Sequence, residues 1–240
     1  MEKIITAENL NDFAYVGADI IKGEIKGIMI DFRGLGGMDF HNGDTPTFAF
    51  DFADNGILYV KPYNNPWCWM NKQAVDYTDE IIDVVMEKYN LKNAKIVSTG
   101  LSMGGLAALV YCAYTKHKIT ACITNCPVTN LVYHYTERKD LPRTLYSAFY
   151  NYNGTLEQAL SQNSPYHIVE KLPDIPYIVF HCNNDLAVNF EKHALPFVAK
   201  MQENNRKISL HEVDGRGHCS LSAQANLDYL NEVIEAFNNG

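Results

Sequence analysis

A hydroxyl, a carboxylate and an imidazole, each at the end of an apolar run, mark where this chain of 240 residues is equipped for chemistry. Ser102 sits in Gly100-Leu101-Ser102-Met103-Gly104, after the apolar run Lys95–Ser98 and before the small residues Gly105, Ala107 and Ala108. Strand, tight turn and helix in that order hold a serine in a strained backbone and expose its Oγ. Side chains at positions 100 and 104 would collide with neighbouring backbone, so glycine is required there. The new helix aims its first amides at charge developing beside Ser102. Further on, the run Tyr177–His181 leads to Asp185, and the run Ile208–Val213 leads to Gly215-Arg216-Gly217-His218. The chemistry expected of such a set is nucleophilic acyl transfer. Ser102 attacks, His218 takes its proton and returns it to the leaving group, and Asp185 orients the imidazole and stabilises its cation.

Other acids and bases fit these roles less well. Asp174 precedes its apolar run and belongs at the opposite end of a strand, and Asp214 is too close in sequence to His218 to approach its ring from behind. The run Ile119–Thr124 leads into Asn125, Cys126 and Pro127, none of them a carboxylate. His211 falls within a strand and His193 on a helix.

Acyl transfer also needs donors for an oxyanion. The run Gly27–Phe32 opens into Arg33-Gly34-Leu35-Gly36-Gly37, where glycines let the main chain approach a substrate closely. The expected donors are the backbone N–H groups of Leu35 and Met103, with Gly36 as the second choice to Leu35. Substrate contacts are expected from Tyr63, Trp67 and Trp69 in the segment after Val60, where tryptophan offers a broad apolar face and one donor. The alternative packs one or both tryptophans beneath the helical insertion that residues 127–170 are expected to form. Arg33 and Arg216 are read as partners for a substrate carboxylate or as solvated loop charges, and Cys219 as a packing residue.

The elements that must position these groups follow from periodicity. Six runs are strand-sized: Gly27–Phe32, Gly56–Val60, Lys95–Ser98, Ile119–Thr124, Tyr177–His181 and Ile208–Val213. Most are rich in Ile and Val, as in strands covered on both faces. Between them, Ile82, Val85, Met86 and Tyr89 recur at helical spacing, as do Phe190, Ala194, Phe197, Val198 and Met201, and Leu227, Leu230, Ile234 and Phe237. Alternation of this kind predicts a single α/β domain over 1–240, with a mostly parallel sheet, helices on both faces, and ligands bound beyond the carboxyl ends of the strands. Residues 127–170 are too long for a simple crossover and carry Tyr133, Tyr135, Tyr146 and Tyr150 among other aromatics. They are expected to form a helical insertion, either as a cap over the site or as helices packed on the body.

Composition narrows the partners. A net charge of −8 disfavours nucleic acid, whose binding needs clustered Lys and Arg. No stretch resembles a signal peptide or a membrane span. The six cysteines show no metal-type or disulfide spacing, so reduced thiols in a cytoplasmic protein are expected.

Together these segments resemble the α/β-hydrolase superfamily, in particular its small single-domain members allied to the prolyl-oligopeptidase and dienelactone-hydrolase groups. GLSMGG at 100–105, HCNND at 181–185 and GRGH at 215–218 carry the likeness, as does Ser164-Pro165 ahead of the penultimate strand. The resemblance implies the three-layer fold of that superfamily. It also implies a hydrolase of small-molecule esters or amides that needs neither metal nor cofactor. Arg33 stands where the family often has histidine, and Cys182 where it has glycine. Only some 25 residues precede the first strand-sized run, room for a hairpin and not for the large propeller of true oligopeptidases.

Overall fold

The computed structural model describes residues 4–36 and 45–238. Its seven strands are β1 (Ala14–Val16), β2 (Gly27–Phe32), β3 (Ile57–Pro62), β4 (Lys95–Leu101), β5 (Ala121–Asn125), β6 (Tyr177–Cys182) and β7 (Ile208–Val213). They form one sheet in the order β1-β3-β2-β4-β5-β6-β7, and every pairing is parallel except β1 with β3. The eight α-helices described are α1 (Thr47–Ala53), α2 (Lys72–Lys88), α3 (Met103–Tyr114), α4 (Leu131–Glu137), α5 (Leu141–Phe149), α6 (Leu156–Gln162), α7 (Phe190–Glu203) and α8 (Ala223–Asn238).

Strand alternation divides the apolar side chains between two layers. Ile28, Ile30, Leu58, Val60, Ile96 and Val179 join α2, α3, α7 and the three short helices of the 127–170 segment in one core. Met29, Ile57, Tyr59, Val97, Ile123 and Phe180 join α1 and α8 in the other. The result is a three-layer α/β fold of the α/β-hydrolase type. Helix α3 is buried along Met103–Cys112, as its all-round apolar sequence requires of a central helix.

Several elements differ from the sequence expectation: α1 has no counterpart there, and β3 and β4 run on to Pro62 and Leu101. Strand β1 comes from Ala-Tyr-Val, too short for alternation to reveal, and pairs antiparallel onto β3. Strand β5 starts at Ala121, although Thr120 already donates its amide to the Ile96 carbonyl at 2.7 Å.

The 127–170 segment is tied to the body by a buried polar knot. His134 on α4 and His193 on α7 both reach the Glu137 carboxylate, at 2.6 and 2.9 Å, and the Asn189 amide donates to its other oxygen at 3.0 Å. The Thr129 and Asn130 amides donate to His193 Nδ1, each at 3.2 Å, so its proton resides on Nε2 and points at Glu137. Burial opposes the Glu137 charge, but these donors outweigh it and hold the carboxyl well below its ordinary range. Truncation orphans all three donors. Glu137→Ala is therefore expected to cost about 1–3 kcal/mol, read as a lower urea midpoint at unchanged m-value.

Candidate active site

Ser102 occupies the turn between β4 and α3 with φ 56° and ψ −121°, a conformation costly for any residue but glycine. The surroundings hold it there. Its amide donates to Asn125 O at 2.9 Å, and its carbonyl accepts from Leu106 N at 3.1 Å and from Val128 N at 3.2 Å. The flanking glycines are required by the same crowding. A Cβ on Gly100 would lie 2.8 Å from Phe32 O and closer still to Gly104 O, and one on Gly104 would meet Arg33 O at 2.6 Å and overlap Phe32 O. Backbone cannot yield as a side-chain tip can, so Gly104→Ala should lower stability by about 1–3 kcal/mol, as overpacking does, and thermal melting would register it.

Asp185 follows β6 and His218 follows β7, both beyond the carboxyl edge of the sheet. His218 Nε2 lies 2.8 Å from Ser102 Oγ, and His218 Nδ1 lies 2.6 Å from Asp185 Oδ2. The other Asp185 oxygen accepts the amides of Ala187 and Val188 at 2.8 and 2.9 Å. Burial disfavours the Asp185 charge, but the His218 hydrogen bond and these amides outweigh it and lower its pKa. An ionised Asp185 fixes the proton on His218 Nδ1 and leaves the Nε2 lone pair facing the Ser102 hydroxyl. Burial also disfavours the His218 cation, yet the hydrogen bond to Asp185, with a further contribution from Cys126, prevails and raises its pKa to about 9.

Two thiols adjoin the imidazole. Cys219 Sγ is 3.5 Å from His218 Nε2, and the fully buried Cys126 Sγ accepts the amides of Cys182 and Cys219 at 3.3 and 3.4 Å. A hydrogen bond with Cys219, reinforced by burial, pushes the Cys126 thiol far above its ordinary range. Sequence alone assigns neither thiol to the site. Their only signals there are positions after β5 and beside His218.

The segment after β2 runs alongside the turn. A Cβ on Gly34 would stand 3.8 Å from Ser102 Cβ and 3.0 Å from Leu101 Cδ1, so Gly34, the residue before Leu35, lies against the turn that carries Ser102. Gly36 adopts φ 71° and donates its amide to Pro66 O at 3.1 Å, so that amide is already engaged. Gly37 lies outside the described residues. Met103 N is the first amide of α3 and has no acceptor within the helix.

The expected substrate contacts separate. Tyr63 and Trp67 line a cavity of about 430 Å³ with Phe13, Asn71 and Tyr77. Trp69 is fully buried, donates Nε1–H to Thr144 Oγ1 at 3.1 Å and packs against His134, so it faces the core and not the mouth. It is held there by α5, so the alternative of packing beneath the 127–170 insertion holds for Trp69, whereas Trp67 is exposed. Arg33 borders a crevice shared with Gly34, Pro66 and Met103. A second cavity, of about 390 Å³, abuts the turn through Gly100, Leu101, Asn125 and Cys219. Its walls are Met29, Phe48, Phe52, Leu221 and Tyr229, and Tyr59, Asp31 and Lys61 give it a polar patch. There Tyr59 donates to Asp31 at 2.5 Å, with Lys61 at 3.7 Å.

The prolyl oligopeptidase family matches residues 67–239, a span that holds Ser102, Asp185 and His218. The chain belongs to that family. No curated protein matches it in sequence. Solved structures similar to it include a puromycin-hydrolyzing peptidase of Mycobacterium tuberculosis, with TM-score 0.67 and 14% identity over 90% of this chain and 34% of that one. An S-formylglutathione hydrolase from Agrobacterium tumefaciens gives TM-score 0.68 and 15% identity over 94% and 88%. The propionate-bound Est2 esterase of Thermogutta terrifontis gives 0.61 and 20% over 92% and 87%. The chain thus spans about a third of the length of the mycobacterial peptidase and most of the other two. At these identities the likeness is one of fold, and family membership supports hydrolase activity of the serine type. No described helix is long and apolar enough to cross a membrane.

Proposed function

We propose that this member of the prolyl oligopeptidase family is a serine hydrolase that cleaves a small or medium carboxylic ester through a Ser102 acyl-enzyme. The observation that carries the reading is the continuous relay from Ser102 Oγ through His218 to Asp185, at 2.8 and 2.6 Å. His218 Nε2 takes the Ser102 proton as Oγ adds to the acyl carbonyl. The Met103 and Leu35 amides receive the oxyanion. His218 then protonates the departing alcohol, and water repeats the cycle in reverse to release the acid. The cavity walled by Phe48, Phe52 and Leu221 offers an apolar berth for the acyl group, and the Tyr63–Trp67 cavity is the further contact surface. In this reading the 127–170 helices act as a cap and the protein works in the cytoplasm on small molecules.

Amide or small-peptide cleavage by the same relay is the second reading, favoured by the family match itself. Paired ester and aminoacyl-amide substrates decide between them: a higher kcat/KM for the ester supports the first, and a higher value for the amide replaces it with the second. Fluorophosphonate labelling tests the nucleophile, and unlabelled, folded protein would refute both.

The pH profile tests the base. Only neutral His218 accepts the Ser102 proton, and Asp185 raises the pKa of the imidazole, so kcat/KM should rise with pH along a limb displaced upward. The Cys126 thiol is uncharged in this range, so the charge that holds the proton on His218 is that of Asp185. The midpoint is therefore expected between the ordinary value of about 6.5 and about 9. A profile flat from about pH 5 to 8 excludes His218 as base.

A further inference from the structure

We infer that Cys126, His218 and Cys219 form a second, soft-metal site, and that Zn²⁺ bound there arrests hydrolysis by taking the lone pair that Ser102 needs. The ligand atoms of the three residues all lie within 4.8 Å of one another. Cys219 Sγ and His218 Nε2 are 3.5 Å apart. A tetrahedral zinc with Zn–S about 2.3 Å and Zn–N about 2.0–2.1 Å separates such a pair by about 3.6 Å, so these two already stand at ligand spacing. Two thiolates and an imidazole are the donors zinc prefers, with the fourth position left to water.

The outer partners are those of a metal site. His218 gives its Nδ1 proton to Asp185, which leaves Nε2 as a lone-pair donor and raises its basicity. Cys126 Sγ accepts two backbone amides, which would remain as donors to its sulfur once a metal displaces the proton that burial otherwise keeps on the thiol. Zinc enters from the solvent side, where the His218 side chain is 29% exposed and Cys219 is half-buried. Binding converts two thiols to thiolates, forms two Zn–S bonds and one Zn–N bond, and releases two protons to solvent, with no change in oxidation state. Affinity should thus rise with pH. The His134–Glu137–His193 cluster also brings three ligand atoms together. There His193 Nδ1 accepts two amides, so Nε2 holds a proton where a metal would need a lone pair.

The inhibition rests on the function proposed above, whereas the metal site does not, and the test separates them. The full chain, reduced and freed of metal by a chelator, is titrated with Co²⁺. One equivalent is expected to bind with a thiolate-to-cobalt charge-transfer band and tetrahedral visible bands. Ser102→Ala should keep the spectrum, and Cys219→Ser should lose the charge-transfer intensity of one thiolate. In parallel, Zn²⁺ should inhibit ester hydrolysis reversibly. Measured against its own metal-free rate, Cys219→Ser should need more than about 10-fold more zinc for half-inhibition, the loss that removing even an outer partner brings. Cys219 is partly exposed, so this variant avoids the folding risk of altering buried Cys126. No thiolate band in the wild-type chain, or an unchanged band in Cys219→Ser, overturns the site. A band without zinc inhibition in an active enzyme overturns the arrest. A band in a chain that hydrolyses nothing upholds the site and counts against the proposed hydrolase.

Discussion

Replacing Ser102 with alanine should lower kcat for an acyl ester by on the order of 10⁶-fold and leave the protein folded. The size follows from the way the relay works as one unit: without Oγ there is no atom to acylate, and His218 has no proton to take. What remains is the contribution of the oxyanion amides and of binding, a factor of about 10³–10⁴ over water. The fold should survive because the turn is held by backbone bonds to Asn125, Leu106 and Val128, none of which involves the hydroxyl. Fluorophosphonate labelling should vanish while the circular dichroism spectrum and melting temperature stay close to wild type. Activity retained above about 1% of wild type, free of contaminating wild-type enzyme, would remove Ser102 from the mechanism.

Asp185→Asn should have the next largest effect, a loss in kcat of about 10⁴-fold. The asparagine keeps the shape, but its amide group turned toward His218 Nδ1 would donate where the imidazole must donate. The ring then takes the other tautomer, with its proton facing Ser102 and no lone pair to receive another. The same change removes the charge that raises the His218 pKa, while burial continues to lower it. The acidic limb of residual kcat/KM should therefore move down, below the wild-type midpoint. A variant equally slow whose limb does not move would mean that Asp185 acts by packing alone. The side-chain oxygen that remains in the Asp185→Asn variant can still accept the Ala187 and Val188 amides, so this loop should hold its form.

Much of this site could be read in the sequence because it is built at the ends of strands. An apolar run that stops at glycine or aspartate shows both the strand and the edge where its next residue emerges, and Ser102, Asp185 and His218 all have that setting. The parallel sheet followed from the alternation of strand-sized runs with helical periods. What stayed hidden depends on contacts between distant segments. The position of Trp69 after β3 leaves it open between the mouth and a berth beneath the insertion, and only its bond to Thr144 on α5 decides for the second. Cys126 lies beside His218 only because β5 and the loop after β7 converge above β6. The charged patch of Asp31 and Lys61 lies in two strands whose alternation turns both toward α1 and α8, and a sequence read one strand at a time does not show that they share a cavity. The helix α1 is too short for its period to stand out.

His218 hangs from β7, and among the described residues β7 has a neighbouring strand on one side only. Apart from Val213, its residues are only partly covered or exposed, unlike the buried β5 and β6. The proposed proton acceptor is thus attached to a margin open to fraying, whereas the proposed nucleophile is anchored at the middle of the sheet. Amide exchange should reach β7 before β4, and inactivation on warming should set in while the centre of the molecule is still closed. For anyone wishing to harden this protein, the outer rim formed by β7 and α7, which packs against it, is the place to add contacts.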